Sequence, residues 1–202
     1  MIRLYHASRT RSVRVRWLLE ELGISYDLHT LRFTPEVIKG AEYRKLNPLG
    51  KVPAMQDGEL TMFESGAMVQ YILETYGEGR LEPPKGTPAR GKFLQWIHFA
   101  EATAMPPLSD MAQHMFFRPE NERIPAMVED GRRRILLVLD ALEVEIQDKD
   151  FLLGPEFTAA DIMMGYTLML SQLFGVLGEA HPALGRYYAR LAGRPAFQKA
   201  IS

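Results

Sequence analysis

Polar and apolar positions change period early in the chain. Ile2, Leu4 and His6 alternate with Arg3, Tyr5 and Ala7, the two-residue period of a strand. After the polar run Ser8-Arg9-Thr10-Arg11-Ser12, the residues Val15, Leu18, Leu19 and Leu22 fall at i, i+3, i+4 and i+7. That spacing predicts a helix, with Arg14, Arg16, Glu20 and Glu21 on its polar side and Gly23 as its stop. Residues 24–33 predict a second strand. Two strands joined by a helix imply a parallel pair with a right-handed crossover. Residues 35–46 predict a short or irregular helix. Asn47-Pro48-Leu49-Gly50 is a turn, and residues 52–56 and 59–63 flank Asp57-Gly58, a two-residue hairpin signal. Ser65 is expected to cap a helix whose stripe is Val69, Ile72, Leu73 and Tyr76, ended by Gly77. The order β-α-β-α-β-β-α defines a small α/β domain over residues 1–78.

Residues 79–88 hold three prolines and two glycines and read as a linker. Beyond it, residues 89–202 predict helices alone. Phe93, Trp96, Ile97 and Ala100 make one stripe, and Ile135, Val138, Leu139, Leu142 and Ile146 another. Met105-Pro106-Pro107 is expected to bend or break the first of these helices. Thr158 and Asp161 form a capping box in its Asp form, with Phe157 and Ile162 as a hydrophobic staple. Residues 162–177 are apolar on nearly every side. Ser171 and Gln172 interrupt them and Asp161 and Glu179 bracket them, so a buried helix is expected rather than a membrane span.

Composition narrows the chemistry. The 202 residues carry a formal charge of −1 and no cysteine. A disulfide scaffold, a Cys-based metal site and a protein thiol nucleophile are excluded. Any sulfur chemistry needs a thiol from a ligand. The balanced charge gives no general attraction to nucleic acid, and Arg9-Arg11-Arg14-Arg16 and Arg132-Arg133-Arg134 read as solvated faces. No histidine pair has metal-ligand spacing on one helix face, so no metal is expected.

Three local features carry candidate chemistry. The hydroxyls of Ser8, Thr10 and Ser12 stand at a strand-to-helix turn, where the helix end favours an anion. A hydroxyl there caps the helix or donates to a thiolate. Val52-Pro53, if cis, would turn the Val52 backbone outward to pair with an extended peptide. Glu64-Ser65 at a helix start offers an acceptor for an ammonium group and donors for a carboxylate, the two ends of an amino acid. The alternative there is a capping serine beside a surface glutamate.

The chain resembles cytosolic glutathione transferases through four stretches in the family's order: Asn47-Pro48-Leu49-Gly50-Lys51-Val52-Pro53, then Glu64-Ser65-Gly66-Ala67 with Tyr71-Ile72, then Phe157-Thr158-Ala159-Ala160-Asp161-Ile162, then Arg194-Pro195-Ala196-Phe197. Residues 11–23 look like the bacterial and fungal branch whose serine-type members use a hydroxyl near the first helix. The resemblance implies an α/β thioredoxin-like N-terminal domain followed by an all-α helical-bundle C-terminal domain. It implies a cytoplasmic homodimer with glutathione as co-substrate and a small hydrophobic electrophile as partner, with no metal, nucleic acid or membrane. It makes Pro53 a cis-proline and gives Val52 the cysteinyl part of glutathione. Glu64 and Ser65 take the γ-glutamyl end, and Lys51 and Lys39 approach the glycyl carboxylate. Asp161 becomes a folding cap, with about 0.5–2 kcal/mol lost on its removal.

Thr10, Ser12 and Ser8, in that order, are the candidate activating hydroxyls; a backbone N–H or Arg11 is the alternative. Tyr5 stands too early in the strand for the family's tyrosine. Met105, Met111, His114, Met115, Phe116 and Phe117 are candidates for an electrophile pocket or, equally, for core or interface packing. The expected activity is conjugation to hydrophobic electrophiles with peroxide reduction as a second reaction. The alternatives are a non-catalytic glutathione-binding scaffold and a glutathione-dependent isomerase using Arg9 and Arg11.

Overall fold

The computed structural model describes residues 1–202. The elements in chain order are β1 (Ile2–His6), α1 (Ser12–Leu22), β2 (Tyr26–Thr30), α2 (Pro35–Ile38), α3 (Ala41–Arg44), β3 (Ala54–Asp57), β4 (Leu60–Phe63), α4 (Ser65–Tyr76), α5 (Pro88–His98), α6 (Met105–Ala112), α7 (Pro125–Ile146), α8 (Ala159–Leu173), α9 (Pro182–Ala192) and α10 (Pro195–Ile201). Two π-helical segments, Phe99–Ala104 and Gln113–Phe117, flank α6. They form two compact units, Met1–Pro83 with Gly193–Ser202, and Pro84–Ala192. The sequence expectation put all of 89–202 together; the last ten residues instead pack with the first unit.

The first unit is a four-stranded sheet in the order β2-β1-β3-β4. β1 and β2 run parallel with Ile2 opposite Tyr26, and β1 and β3 antiparallel with Leu4 opposite Met55. Ile2, Leu4 and His6 are buried, as period two requires of a covered strand face. α1 buries Val15, Leu18, Leu19 and Leu22 and ends at Gly23, whose φ of 66° is the left-handed conformation that glycine adopts without penalty. α10 packs on α1, with the Phe197 ring set edge-on to Trp17 at 4.7 Å between centroids.

Four expectations change in this unit. Strand β2 is shorter than 24–33. The hairpin loop is Gly58-Glu59, because Asp57 pairs with Leu60; Gly58 alone in the loop has positive φ, as a type II′ turn needs. Ser65 is the first helical residue and Glu64 the cap. Arg14 and Arg16 are buried, not solvated.

In the second unit α8 is buried on nearly every side, and no helix is long and apolar enough to cross a membrane. α6 crosses α7 closely. A Cβ built on Gly131 would lie 2.6 Å from Met111 Cγ and 2.8 Å from the Pro107 carbonyl. The expected break at Met105-Pro106-Pro107 takes the form of π turns just before it. The two prolines remove N–H donors that an α-helical register needs, and the chain shifts register instead of stopping. The capping box is present and extends beyond its usual pair. Fully buried Asp161 accepts from the Thr158 N–H at 2.8 Å, the Thr158 hydroxyl at 3.0 Å, the Leu152 N–H at 2.9 Å and the Tyr187 hydroxyl at 2.7 Å. Burial raises its carboxyl above the ordinary carboxylate value against the pull of these donors.

Candidate active site

The loop between β1 and α1 reverses the chain in five residues. Arg9 takes positive φ (61°), and the Ala7 carbonyl collects the Thr10 N–H at 3.3 Å, the Thr10 hydroxyl at 2.7 Å and the Ser12 hydroxyl at 3.1 Å. The cap position of α1 is Arg11, without a side-chain cap, and the first turn holds no acidic residue. No carboxylate of the first turn offsets the positive end of the helix dipole, and the Ser12 N–H points to Thr10 Oγ1 at 3.4 Å.

The three candidate hydroxyls occupy different environments. Ser8 is exposed in the turn. Ser12 is fully buried and held on every side: Thr10 Oγ1 at 2.8 Å, His6 Nδ1 at 2.8 Å, the Ala7 N–H at 3.2 Å and the Ala7 carbonyl. Thr10 lies between these extremes, half-buried, with one face on Ser12. Tyr5 points elsewhere. Its hydroxyl donates to Gln56 Oε1 at 2.8 Å, and its ring sits 5.1 Å from His29 and 6.2 Å from Tyr43.

The Val52–Pro53 bond is cis. The turn before it is tied from within. Asn47, itself buried, accepts the Leu49 N–H at 3.1 Å and donates to the Lys51 carbonyl at 2.7 Å, which Tyr43 also reaches at 2.9 Å. Val52 stands outside the strand ladder, which starts at Ala54. Gly50, at φ 60°, closes against the 38–39 backbone. A Cβ there would lie 2.7 Å from the Ile38 carbonyl and 3.3 Å from Lys39 Cγ. This contact brings exposed Lys39 beside the turn that carries exposed Lys51.

Glu64 has φ 79° and ψ 103°, a conformation that non-glycine residues hold only when their surroundings force it. Its side chain is exposed, while Ser65 beside it is buried. The first helical bond of α4 runs from Met68 N to the Glu64 carbonyl at 3.0 Å, so the N–H groups before it face out of the helix end. Beneath this end lies Arg14, wholly buried on α1, with Nη1 donating to Ser65 Oγ at 3.3 Å. The helix end thus carries a buried cation as well as its dipole. Sequence reasoning missed Arg14, His6, Asn47 and Tyr43. Only Asn47, in an Asn-Pro turn, had a local signal.

The electrophile candidates divide by burial. Met105, Met111 and His114 are buried in the helical unit, Met115 is partly buried, and Phe116 and Phe117 are exposed. Met111 packs under Gly131, and His114 Nδ1 accepts the Ile124 N–H at 3.0 Å. Those two side chains are committed to packing and loop closure. Met115 and the two phenylalanines lie nearer the surface, with the Phe116 ring 5.7 Å from that of Phe174.

Comparison with known proteins agrees with this geometry. The N-terminal-domain model of the glutathione S-transferases matches residues 1–74 and their C-terminal-domain model residues 104–195. A protein named Glutathione S-transferase 3 from Schizosaccharomyces pombe is 28% identical, over 97% of this chain and 85% of its own length. One of the same name from Zea mays is 29% identical, over 94% of this chain and 88% of its own. The crystal structure of the glutathione transferase URE2P6 from Phanerochaete chrysosporium, in complex with oxidized glutathione, is 30% identical with a TM-score of 0.87. The match covers 98% of this chain and 94% of that one. The chain belongs to the glutathione S-transferase family.

Proposed function

We propose that this protein is a glutathione transferase of the serine/threonine type, with Thr10 as the hydroxyl that holds the glutathione thiolate. The observation that carries this reading is the unequal hydroxyl pair at the start of α1. Ser12 is sealed in, whereas half-buried Thr10 can turn its proton from the Ala7 carbonyl toward an incoming sulfur. Donation to the anion and the helix dipole both favour thiolate over thiol. Lowering a thiol pKa from about 8.5 to about 6.5 makes thiolate the main form at neutral pH.

Each end of glutathione has a matching group. The γ-glutamyl ammonium pairs with the Glu64 carboxylate, and its carboxylate takes the Ser65 hydroxyl and the α4 helix end above Arg14. The cysteinyl amide pairs with the Val52 backbone beside Pro53, and the glycyl carboxylate meets Lys51 and Lys39. The thiolate then attacks an electrophilic carbon. A carbon–sulfur bond forms as the leaving group departs with its electron pair, and the thiol proton goes to water. Met115, Phe116 and Phe117 supply an adaptable apolar surface on the helical unit. Reduction of organic peroxides by the same thiolate and a two-fold homodimer complete the proposal.

Thiolate absorbance of bound glutathione, with turnover on an activated aryl halide and on cumene hydroperoxide, tests it. Absorbance and turnover are expected in the native protein, and Thr10→Val should lose both while retaining affinity. Tight binding with neither signal would identify a glutathione-binding scaffold instead.

A further inference from the structure

Behind the hydroxyl pair lies a buried histidine. His6 ends β1 at 1% exposure, with Nδ1 2.8 Å from Ser12 Oγ and Nε2 3.5 Å from Nη1 of buried Arg16. Arg16 is itself anchored, donating to the Ser202 carbonyl at 2.9 Å and the Ser202 hydroxyl at 3.3 Å.

The contact with Arg16 sets the tautomer of His6, and through it the donors that reach Ser12. A guanidinium has donors alone, so the His6 nitrogen facing it must be the bare acceptor. The other nitrogen, Nδ1, then carries the hydrogen and donates to Ser12 Oγ. Ser12 Oγ also receives the Ala7 N–H, which fills both its lone pairs. Its own proton is left for the Ala7 carbonyl or for Thr10 Oγ1 at 2.8 Å. Once Thr10 turns its proton outward, the Ser12 proton fills the position behind it.

We propose that His6 is a positioning residue: it relays the Arg16 charge through Ser12 to Thr10, aligning Arg16, His6, Ser12 and Thr10 as successive donors aimed at the bound thiolate. Aligned donors polarise one another, so the last becomes a stronger donor than an isolated threonine. The chain orients protons rather than accepting one. Burial and the Arg16 charge lower the His6 pKa to about 4, so the ring stays neutral near pH 7. This inference rests on Thr10 as the activating hydroxyl.

The test is the pKa of glutathione's thiol in the complex, read by thiolate absorbance, with glutathione affinity and thermal midpoint measured alongside. His6→Gln moves the amide away from the Nδ1 position; His6→Asn keeps a donor there. His6→Gln is expected to raise the bound thiol pKa by about one unit, a tenfold smaller thiolate fraction well below it, with affinity changed less than about threefold. His6→Asn should recover most of the shift, and Thr10→Val with His6→Gln should do no more than Thr10→Val alone. If Thr10→Val raises the thiol pKa and His6→Gln does not, the relay is overturned while the Thr10 reading stands. If Thr10→Val has no effect, the Thr10 reading fails on its own variant and the relay falls with it. If His6→Gln does not fold, Ser12→Ala breaks the chain one step further on. An unchanged thiol pKa in folded Ser12→Ala overturns the relay equally.

Discussion

Arg194 grips Glu21 at two points, Nε to Oε1 at 2.6 Å and Nη2 to Oε2 at 2.7 Å, across 173 residues of chain. The Trp17 indole N–H donates to the same Glu21 Oε1 at 2.8 Å. Arg194 begins the Arg-Pro-Ala-Phe stretch, and Phe197 of that stretch meets the Trp17 ring. One short motif therefore seats α10 on α1 by a fork and a ring.

Loss of that fork should loosen the first unit. Arg194→Ala is expected to lower stability by about 1.5–3 kcal/mol, because the charge-assisted bonds are partly shielded from water. Arg194→Lys should recover less than half, since an ammonium cannot make the paired contact. Urea unfolding of the two variants checks the order.

Asp161→Ala should cost more than an ordinary cap. A cap is worth about 0.5–2 kcal/mol, but Asp161 also holds the Leu152 N–H and the Tyr187 hydroxyl. A loss of about 3 kcal/mol or more is expected, with unchanged glutathione affinity per folded molecule. Calorimetry on the folded fraction separates the two quantities.

Glu64→Gly should divide stability from binding. Glycine takes φ 79° without strain, so the variant is expected to be more stable by about 0.5–1 kcal/mol. Without the carboxylate its glutathione affinity should fall about tenfold or more. Glu64→Ala, which keeps the strain, should match the loss of affinity without the gain in stability.

His6 sets a slope in acid. Its pKa is about 4 in the folded chain and an ordinary 6.5 in the unfolded one, so the unfolded chain takes up the proton first. The stabilisation is complete above pH 6.5, is lost as the pH falls toward 4, and changes no further below that. The full loss is on the order of 3 kcal/mol. His6→Gln should show a shallower decline over the same range in urea titrations.

Strand and helix boundaries were legible where periodicity alone decides them. Ile2, Leu4 and His6 in β1, the Val15 to Leu22 stripe and the Thr158–Asp161 box all stand as their spacing predicts. The buried arginines were not legible. Arg14 lies next to the apolar stripe, and its partner Ser65 is 51 residues away. Nor was the backbone of Glu64, since no residue type announces a forced φ. The hydroxyl cluster could be listed from sequence, but only His6 and Ala7, folded onto Ser12, separate the sealed hydroxyl from the usable one.

The return of Gly193–Ser202 to the first unit orders events during synthesis. β1 to α4 leave the ribosome early, yet Glu20, Glu21 and Arg16 on α1 wait for Lys199, Arg194 and Ser202. The helical unit is contiguous and can close while the first unit still lacks its last helix. The unit translated first is therefore completed last, and a nascent chain stalled before residue 193 would carry its hydroxyl pair on an α1 whose outer contacts are still open.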